Sequence, residues 1–256
     1  MTLAILSALP QEQAGLRACL TEPQMQQRAG REFCVGRWRD RQAVVLALSR
    51  IGKVAAATTA TTLIEHFGVT RIVFSGVAGG LGAGVTVGDV VVAEACLQHD
   101  MDASPLFPRH EVPLYARDRF ACDPGMAAGL RAAAQALRDG VAQHFEAPVR
   151  QQYGLDAMQV HHGLLISGDR FVSAADEAQA LARRLPQALA VEMEAAAVAQ
   201  VCHDYGVPFA ALRTISDRAD DSAHVDFPAF LEAVAGRCTT LIMQHWLDGQ
   251  AAPTGT

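Results

Sequence analysis

The chain has 256 residues, 50% of them hydrophobic, and it carries a formal net charge of −6 at pH 7. This length and apolar content are sufficient for one large α/β core, whereas the acidic balance argues against a nucleic-acid partner, which requires a basic surface. Six scattered cysteines without a CxxC pair indicate free thiols in a reducing compartment, and no apolar run is long enough to cross a membrane. We therefore expect a cytoplasmic protein without a membrane partner.

Short apolar runs bounded by turn residues predict strands, and the helically spaced segments between them predict helices. In chain order, the predicted strands cover residues 2–9, 43–48, 71–76, 89–96, 163–168 and 208–215. The predicted helices run from Pro10 towards Leu20, from Val54 to Phe67, from the Asp123-Pro124 cap to about Phe145, over residues 194–204, and onwards from near Asp226 and Pro228.

Strands that alternate with helices predict an α/β fold: a single-domain three-layer α/β/α sandwich with a central twisted, mostly parallel mixed sheet. We expect this domain to cover residues 1–247 and a polar tail to cover 248–256. The alternation of Arg37, Arg39 and Arg41 around Trp38 is typical of the solvent face of a strand.

Ligands of such sheets bind at the carboxyl ends of the strands. Six segments should therefore converge on one cleft: Glu12, 51–52, 76–80, 167–171, 192–194 and 213–217.

The glycine-rich segment 76–84 is the first candidate binding feature. It does not match the GxGxxG spacing, and Gly52-Lys53 lacks the flanking residues of a P-loop. We expect a tight strand-to-helix turn there, which lets a ligand approach the backbone. The neighbouring His161 and His162 would point to opposite faces of a strand, so we expect them to be structural, with no metal and no cofactor.

The stretch 191–220 carries the densest set of reactive side chains. It places Glu192 and Glu194 at the start of an alanine-rich helix, and a following strand ends in Arg213, Ser216 and Asp217. Taken singly, Glu194 could be a first-turn carboxylate favoured by the helix dipole, and Asp217 could be a helix N-cap with Arg213 as its surface partner. Their grouping favours acid–base chemistry on a small polar molecule.

These motifs together resemble the nucleoside phosphorylase/nucleosidase superfamily, and within it the bacterial 5′-methylthioadenosine/S-adenosylhomocysteine nucleosidases. The resemblance covers about residues 2–247. It rests on the segments SALPQE, SRIGKVAAA, SGVAGGL, GDVVVAE, HDMDA, LISGDRFV, AVEMEAAAVAQVC and RTISDRAD.

The resemblance implies a role for each matching residue. Glu12 would activate a water molecule, Asp217 would protonate purine N7 with Ser216 orienting it, and Arg213 would lie near the water and the carboxylates. Met193 and Glu194 would hold the ribose, with Glu192 beside them. The adenine would stack on Phe171 and be read by the Val172 backbone. The remaining pocket lining would be Ile51, Ala78, Gly79 and Phe227.

Cleavage by water is favoured over cleavage by phosphate. The related phosphorylases carry a phosphate-binding arginine in the first loop, where this chain has Glu12, and a carboxylate there repels phosphate. Two alternatives stay open: a phosphate-dependent purine nucleoside phosphorylase, and a non-catalytic nucleoside-binding sensor on the same fold. Arg50 and Val77 depart from the usual nucleosidase pattern, and we expect Arg50 to point to a neighbouring loop.

The loop 101–115 carries apolar side chains between prolines, which is typical of an interface or a site lid. The resemblance implies a homodimer in which this loop reaches the partner's pocket for the 5′ substituent. The preferred substituent itself is left open by the sequence, with methylthio, homocysteinyl, deoxy and aminofutalosine-type nucleosides all as candidates.

Overall fold

The computed structural model describes residues 1–219 and 223–249, with side chains in the second range from Phe227 onward. Within these residues ten strands form one mixed sheet. The strands are β1 (Thr2–Ser7), β2 (Leu20–Arg28), β3 (Arg31–Trp38), β4 (Gln42–Leu48), β5 (Arg71–Gly80), β6 (Val90–Gln98), β7 (Arg119–Ala121), β8 (Val160–Ser167), β9 (Ala188–Glu192) and β10 (Phe209–Asp217).

Helices cover both faces of this sheet. They are α1 (Lys53–Phe67), α2 (Pro124–Asp139), α3 (Val141–His144), α4 (Ala147–Gln152), α5 (Ala175–Arg184), α6 (Ala195–Tyr205), α7 (Ala223–Phe230) and α8 (Gly236–Asp248), with a π-helical segment at Leu231–Ala235 between the last two. Helices α2 and α8 pack together on one face, and α1 and α6 pack together on the other. None of the described helices is long and apolar enough to span a bilayer.

Strand β1 shows why the central strands are continuously apolar. Leu3 and Ile5 lie in the core beneath α2 and α8, whereas Ala4 and Leu6 lie in the core beneath α1 and α6. Successive side chains of a strand point to opposite faces, so a strand that is covered on both sides needs apolar residues throughout. The predicted α/β sandwich with a mixed central sheet is confirmed.

The strand pairings place the carboxyl ends of the site-bearing strands together. β1 pairs in parallel with β4 and β5, β5 with β10, β6 with β8, and β8 with β9. The antiparallel pairs are β2–β3 and β3–β4 at one edge, and β6–β10, β6–β7 and the short β5–β9 contact elsewhere.

The helix predicted from Pro10 towards Leu20 is wrong. Only short 3-10 turns form there, at Pro10–Gln13 and Arg17–Cys19, and the chain then enters β2. The prediction missed β2 because its polar sequence LTEPQMQQR has no apolar face. As an edge strand it is largely exposed and tolerates Pro23.

The prediction of a turn at the glycine-rich segment is also wrong. Gly76–Gly80 belongs to β5, and the chain continues to β6 without an intervening helix. Two of these glycines are required by close contacts, because a Cβ on Gly76 would lie 2.5 Å from Glu12 Oε1 and one on Gly79 would lie 2.9 Å from Asp217 Oδ1. The segment is glycine-rich so that β5 can pass directly beneath two carboxylates.

Two helix boundaries at the C-terminal end differ from those predicted. The last helical stretch begins at Ala223 and not near Asp226, and α8 continues through Asp248. Asp248 is not part of a free tail, because its carboxylate accepts a hydrogen bond from Trp38 Nε1 at 3.1 Å and pairs with Arg39 at 2.9 Å. Residues 250–256 of the predicted tail lie outside the described residues.

The predicted Asp123 cap is confirmed, because its carboxylate accepts the Met126 backbone N–H at 2.8 Å. The helix that follows ends at Asp139, and a separate short helix continues to His144. Arg37 lies on β3 as expected, but Arg39 lies beyond the strand, at positive φ.

Candidate active site

A cavity of about 320 Å³ opens at the carboxyl ends of the strands, where the six predicted segments meet. All of the predicted site residues line it except Arg213, which lies buried beneath it. The lining residues that match the prediction are Glu12, Ile51, Ala78, Gly79, Phe171, Val172, Glu192, Met193, Glu194, Ser216, Asp217 and Phe227. Of the other lining residues, Val77 and Arg170 lie within the predicted segments 76–80 and 167–171, whereas Ala8, Leu9 and Val191 lie outside the six segments.

Glu12 is held in the turn after β1 by backbone donors. Its Oε2 accepts the N–H groups of Ala8 and Leu9, both at 2.8 Å, and its Oε1 accepts that of Val77 at 3.0 Å. The side chain is only 3% exposed. Burial raises the pKa of Glu12, while Arg213 and the three backbone donors oppose this rise. Backbone N–H groups that converge on one point form an anion-binding site, and here the carboxylate of Glu12 occupies that site.

Arg213 is paired with Glu192 below the cavity. Its Nη2 lies 2.6 Å from Glu192 Oε2, its Nη1 donates to the carbonyls of Phe74 and Leu212 at 3.0 and 2.9 Å, and the guanidinium lies 4.3 Å from the centre of the Phe74 ring. At 1% exposure it is not a surface residue, so its alternative role as the surface partner of Asp217 is wrong.

The carboxylate of Glu192 accepts hydrogen bonds from several parts of the protein. Besides Arg213, it accepts the Ser167 hydroxyl and the N–H of Ala195, which lies in the first turn of α6. These bonds tie the end of β8, the end of β9 and the start of α6 to β10. Glu192 and Arg213 therefore fix the backbone on which the neighbouring Met193 and Glu194 stand.

Glu194 reaches across the cavity instead of capping its own helix. Its Oε1 accepts the Gly52 N–H at 2.9 Å, and it makes no side-chain cap to α6. The alternative of a simple first-turn carboxylate is therefore wrong. Burial, followed by the negative charge of Glu192, raises the pKa of Glu194 to about 8.

Asp217 lies at the end of β10 with both oxygens oriented. Oδ2 accepts the Ser216 hydroxyl at 2.7 Å, and Oδ1 accepts the Ala219 N–H at 2.8 Å. Arg218 and Ala219, the next two residues, are not helical, so Asp217 is not a helix N-cap. The predicted contact between Ser216 and Asp217 is present, and it fixes the carboxyl group inside the cavity, where Asp217 is 3% exposed.

Two aromatic rings stand at the mouth of the cavity. The Phe171 ring, 44% exposed, lies 6.0 Å from the Phe227 ring in an edge-to-face arrangement. Beside them, Val172 is buried and Ile51 is exposed. An exposed aromatic face over a partly apolar cavity suits a planar ring system as ligand.

Arg50 and the neighbouring histidines His161 and His162 are oriented as the sequence predicted. Arg50 Nη2 donates to the Gly30 carbonyl at 2.6 Å, so Arg50 points to the turn between β2 and β3. His161 Nε2 lies 2.9 Å from Asp89 Oδ2, whereas His162 is exposed, in accordance with opposite faces of β8.

Comparison with known proteins gives a consistent result. Residues 2–244 match the family model of the phosphorylase superfamily. The chain is 33% identical over 247 residues to a 5′-methylthioadenosine/S-adenosylhomocysteine nucleosidase of Lysinibacillus sphaericus, covering 95% of this chain and 98% of the relative.

Solved structures agree over nearly the whole length. The nucleosidase of the same description from Neisseria meningitidis, in complex with methylthio-immucillin-A, superposes with a TM-score of 0.85 at 31% identity, covering 97% of this chain and 99% of that one. The futalosine hydrolase of Helicobacter pylori superposes with a TM-score of 0.81 at 31% identity, covering 98% of both chains.

Proposed function

Because the chain belongs to the phosphorylase superfamily, we propose that it is a nucleosidase, which hydrolyses the N-ribosidic bond of 5′-substituted adenosines and releases adenine. Its relatives include 5′-methylthioadenosine/S-adenosylhomocysteine nucleosidases over almost the full chain. The substrates that we propose are 5′-methylthioadenosine, S-adenosylhomocysteine and related nucleosides, with water as the second reactant.

The observation that carries this proposal is the environment of Glu12. Three backbone N–H groups converge there, and the protein supplies its own carboxylate as their acceptor. A phosphate at this position would meet a negative charge and would find these donors already occupied. The arrangement therefore favours water over phosphate as the nucleophile, and hydrolysis over phosphorolysis.

We propose that Glu12 and Asp217 act as the base and the acid. Cleavage of an N-ribosidic bond passes through an oxocarbenium-like state, in which the leaving base takes up a proton and a water molecule attacks the anomeric carbon. Asp217, oriented by Ser216, would deliver a proton to purine N7, and Glu12 would take one from the water. Both carboxylates line the same cavity, which supports this division.

The remaining lining would bind the nucleoside. Glu194 would accept hydrogen bonds from the ribose hydroxyls, with Met193 packed against the sugar. Phe171 would stack on the adenine, whose edge would meet the Val172 backbone. Ile51, Ala78, Gly79 and Phe227 would close the walls. Glu192 and Arg213 would act as positioning residues, because their charges already neutralise each other.

We further propose a cytoplasmic homodimer in which the loop 101–115 meets the partner. Leu106 and Leu114 of this loop are 85% and 92% exposed. Exposed apolar patches often mark an interaction site, and a two-fold assembly would apply the contact twice. The six free cysteines support a reducing compartment.

The test is adenine release from 5′-methylthioadenosine, measured with and without phosphate. We expect adenine and free methylthioribose at the same rate in both conditions. Stimulation by phosphate with formation of a ribose 1-phosphate would show a phosphorylase instead. Tight nucleoside binding without any adenine release would show a sensor.

A further inference from the structure

Two arginines lie close together beside the nucleoside cavity. Arg50 follows β4 and donates from Nη2 to the Gly30 carbonyl at 2.6 Å. Arg31 begins β3 and donates to the carbonyls of Ala29 and Ala55 at 3.0 and 3.2 Å. Burial, followed by the like charge of Arg50, lowers the pKa of Arg31. The backbone thus anchors two guanidinium groups near enough to repel one another.

Neither guanidinium has a counterion within the described residues. No carboxylate there forms an ion pair with Arg31 or Arg50, and Arg31 Nε is buried without a hydrogen-bond partner. The adjacent Glu32 is exposed and pairs with neither of them. Among the residues that the structure describes, Glu32 is the one carboxylate that lines the same cavity as the two arginines, so an excess of positive charge is left, which favours the binding of an anion.

These arginines line a second cavity, of about 470 Å³, which adjoins the first. Ala8, Leu9 and Ile51 line both cavities. The chain also links them directly, because the Gly52 N–H that binds Glu194 lies only two residues after Arg50. A ligand that extends past Ile51 would reach the guanidinium groups.

The orientation of a bound nucleoside follows from the roles proposed above. The base would lie towards Asp217 and Phe171, and the ribose would lie at Glu194. The apolar wall of Leu9 and Ile51 is then left for the 5′ substituent. A methylthio group would end at this wall, whereas a longer substituent would continue into the second cavity.

We propose that Arg31 and Arg50 form a subsite for a carboxylate at the end of the 5′ substituent, so that the protein prefers acidic 5′-substituted adenosines to neutral ones of equal length. This inference rests on the proposed function, which supplies the direction of the substituent. A guanidinium pair is suited to a carboxylate. A homocysteinyl group also carries an ammonium, which would meet Glu32 in the same cavity.

The test compares two nucleosides of equal length, 5′-(3-carboxypropylthio)-5′-deoxyadenosine and its neutral amide, 5′-(3-carbamoylpropylthio)-5′-deoxyadenosine. We expect a higher kcat/KM for the acid in the wild-type protein. Arg50→Gln should reduce the acid-to-neutral ratio about tenfold, through KM and not through kcat, because the contact is equal in ground and transition states. Arg50→Glu should invert the preference, and added salt should weaken it.

Arg39→Gln is the matched control. Arg39 resembles Arg50, because both are exposed arginines at positive φ, with φ of 45° for Arg39 and 65° for Arg50. Unlike Arg50, Arg39 pairs with Asp248, away from both cavities. This variant should keep the wild-type ratio. Arg31→Gln should act like Arg50→Gln, and if it fails to fold, the exposed Arg50 carries the test alone.

The outcomes separate this inference from the proposed function. Equal kcat/KM for the acidic and neutral nucleosides, or a ratio unchanged in both Arg50 variants, would overturn the carboxylate subsite and leave the nucleosidase intact. Absence of adenine release from both compounds and from 5′-methylthioadenosine would overturn the proposed function, and the subsite with it.

Discussion

Replacing Glu12 by glutamine tests the proposed base with almost no change in shape. In the wild-type protein the two carboxylate oxygens accept three backbone N–H groups, two on Oε2 and one on Oε1. The amide oxygen of glutamine can take the place of Oε2 and keep the bonds from Ala8 and Leu9. The NH2 group of the glutamine then faces the Val77 N–H, so two buried hydrogen-bond donors face each other without an acceptor.

The magnitudes follow from this geometry. One buried donor left without an acceptor costs about 1–3 kcal/mol, so the free energy of unfolding should fall by about that amount. The amide cannot take a proton from water, so adenine release should fall by about a hundredfold to ten-thousandfold. Affinity for the nucleoside should change little, because the base acts on the water and not on the ligand.

The assay separates these three quantities. Urea denaturation gives the unfolding free energy, single-turnover adenine release gives the rate, and calorimetric titration of a non-hydrolysable analogue of 5′-methylthioadenosine gives the affinity. Glu146→Gln is the control for loss of a negative charge, because Glu146 is exposed and makes no side-chain cap. A Glu12→Gln protein that releases adenine at near the wild-type rate would refute the assignment of Glu12 as the base.

Three further predictions concern the acid, the ribose carboxylate and the assembly. Asp217→Asn keeps the Ala219 contact but cannot donate a proton to N7, so turnover should fall about a hundredfold or more at nearly unchanged stability; adenine release close to that of the wild type would exclude Asp217 as the acid. Because the pKa of Glu194 is raised from 4.5 to about 8, the folded state binds more protons than the unfolded state between these values, and stability should decline as pH rises across this window. Glu194→Gln should flatten that decline in urea titrations from pH 5 to 8.5, and a parallel profile would contradict the shift. Phe107→Asp should weaken both dimerisation, measured by sedimentation, and activity, whereas a fully active wild-type monomer would leave the loop 101–115 as a lid only.

The sequence predicted that Glu12, Glu194 and Asp217 converge on one cavity, because their convergence follows from sheet topology. Strands such as β5 and β10 are apolar on both faces, so their positions in a doubly covered sheet could be inferred from composition alone. The carboxyl ends of such strands meet at one edge. Glu12, Glu194 and Asp217 therefore converge in the structure although they are far apart in the chain.

The parts that could not be predicted depend on contacts between distant segments. Strand β2 is stabilised by pairing with β3 and not by an apolar face, so its pattern carries no periodic signal. The three N–H groups around Glu12 are a property of backbone conformation, to which the Ala8 and Val77 side chains contribute nothing. The pairing of Glu192 with Arg213 joins residues 21 positions apart, and the sequence offered Asp217 as an equally plausible partner.

The charged side chains buried around the cavity would stabilise a cationic transition state. Glu12, Glu192 and Glu194 are all buried, and Arg213 is the buried arginine among them. Arg213 forms its ion pair with Glu192. Glu12 and Glu194 form no ion pair with Arg213, and burial raises the pKa of both. Under the proposed mechanism, positive charge develops on the ribose between these carboxylates and the leaving adenine. Burial favours the neutral form of Glu194, whose pKa is about 8, whereas the positive charge of the transition state would favour its ionised form. This attraction is absent with the neutral substrate, and only such a difference in binding accelerates the reaction.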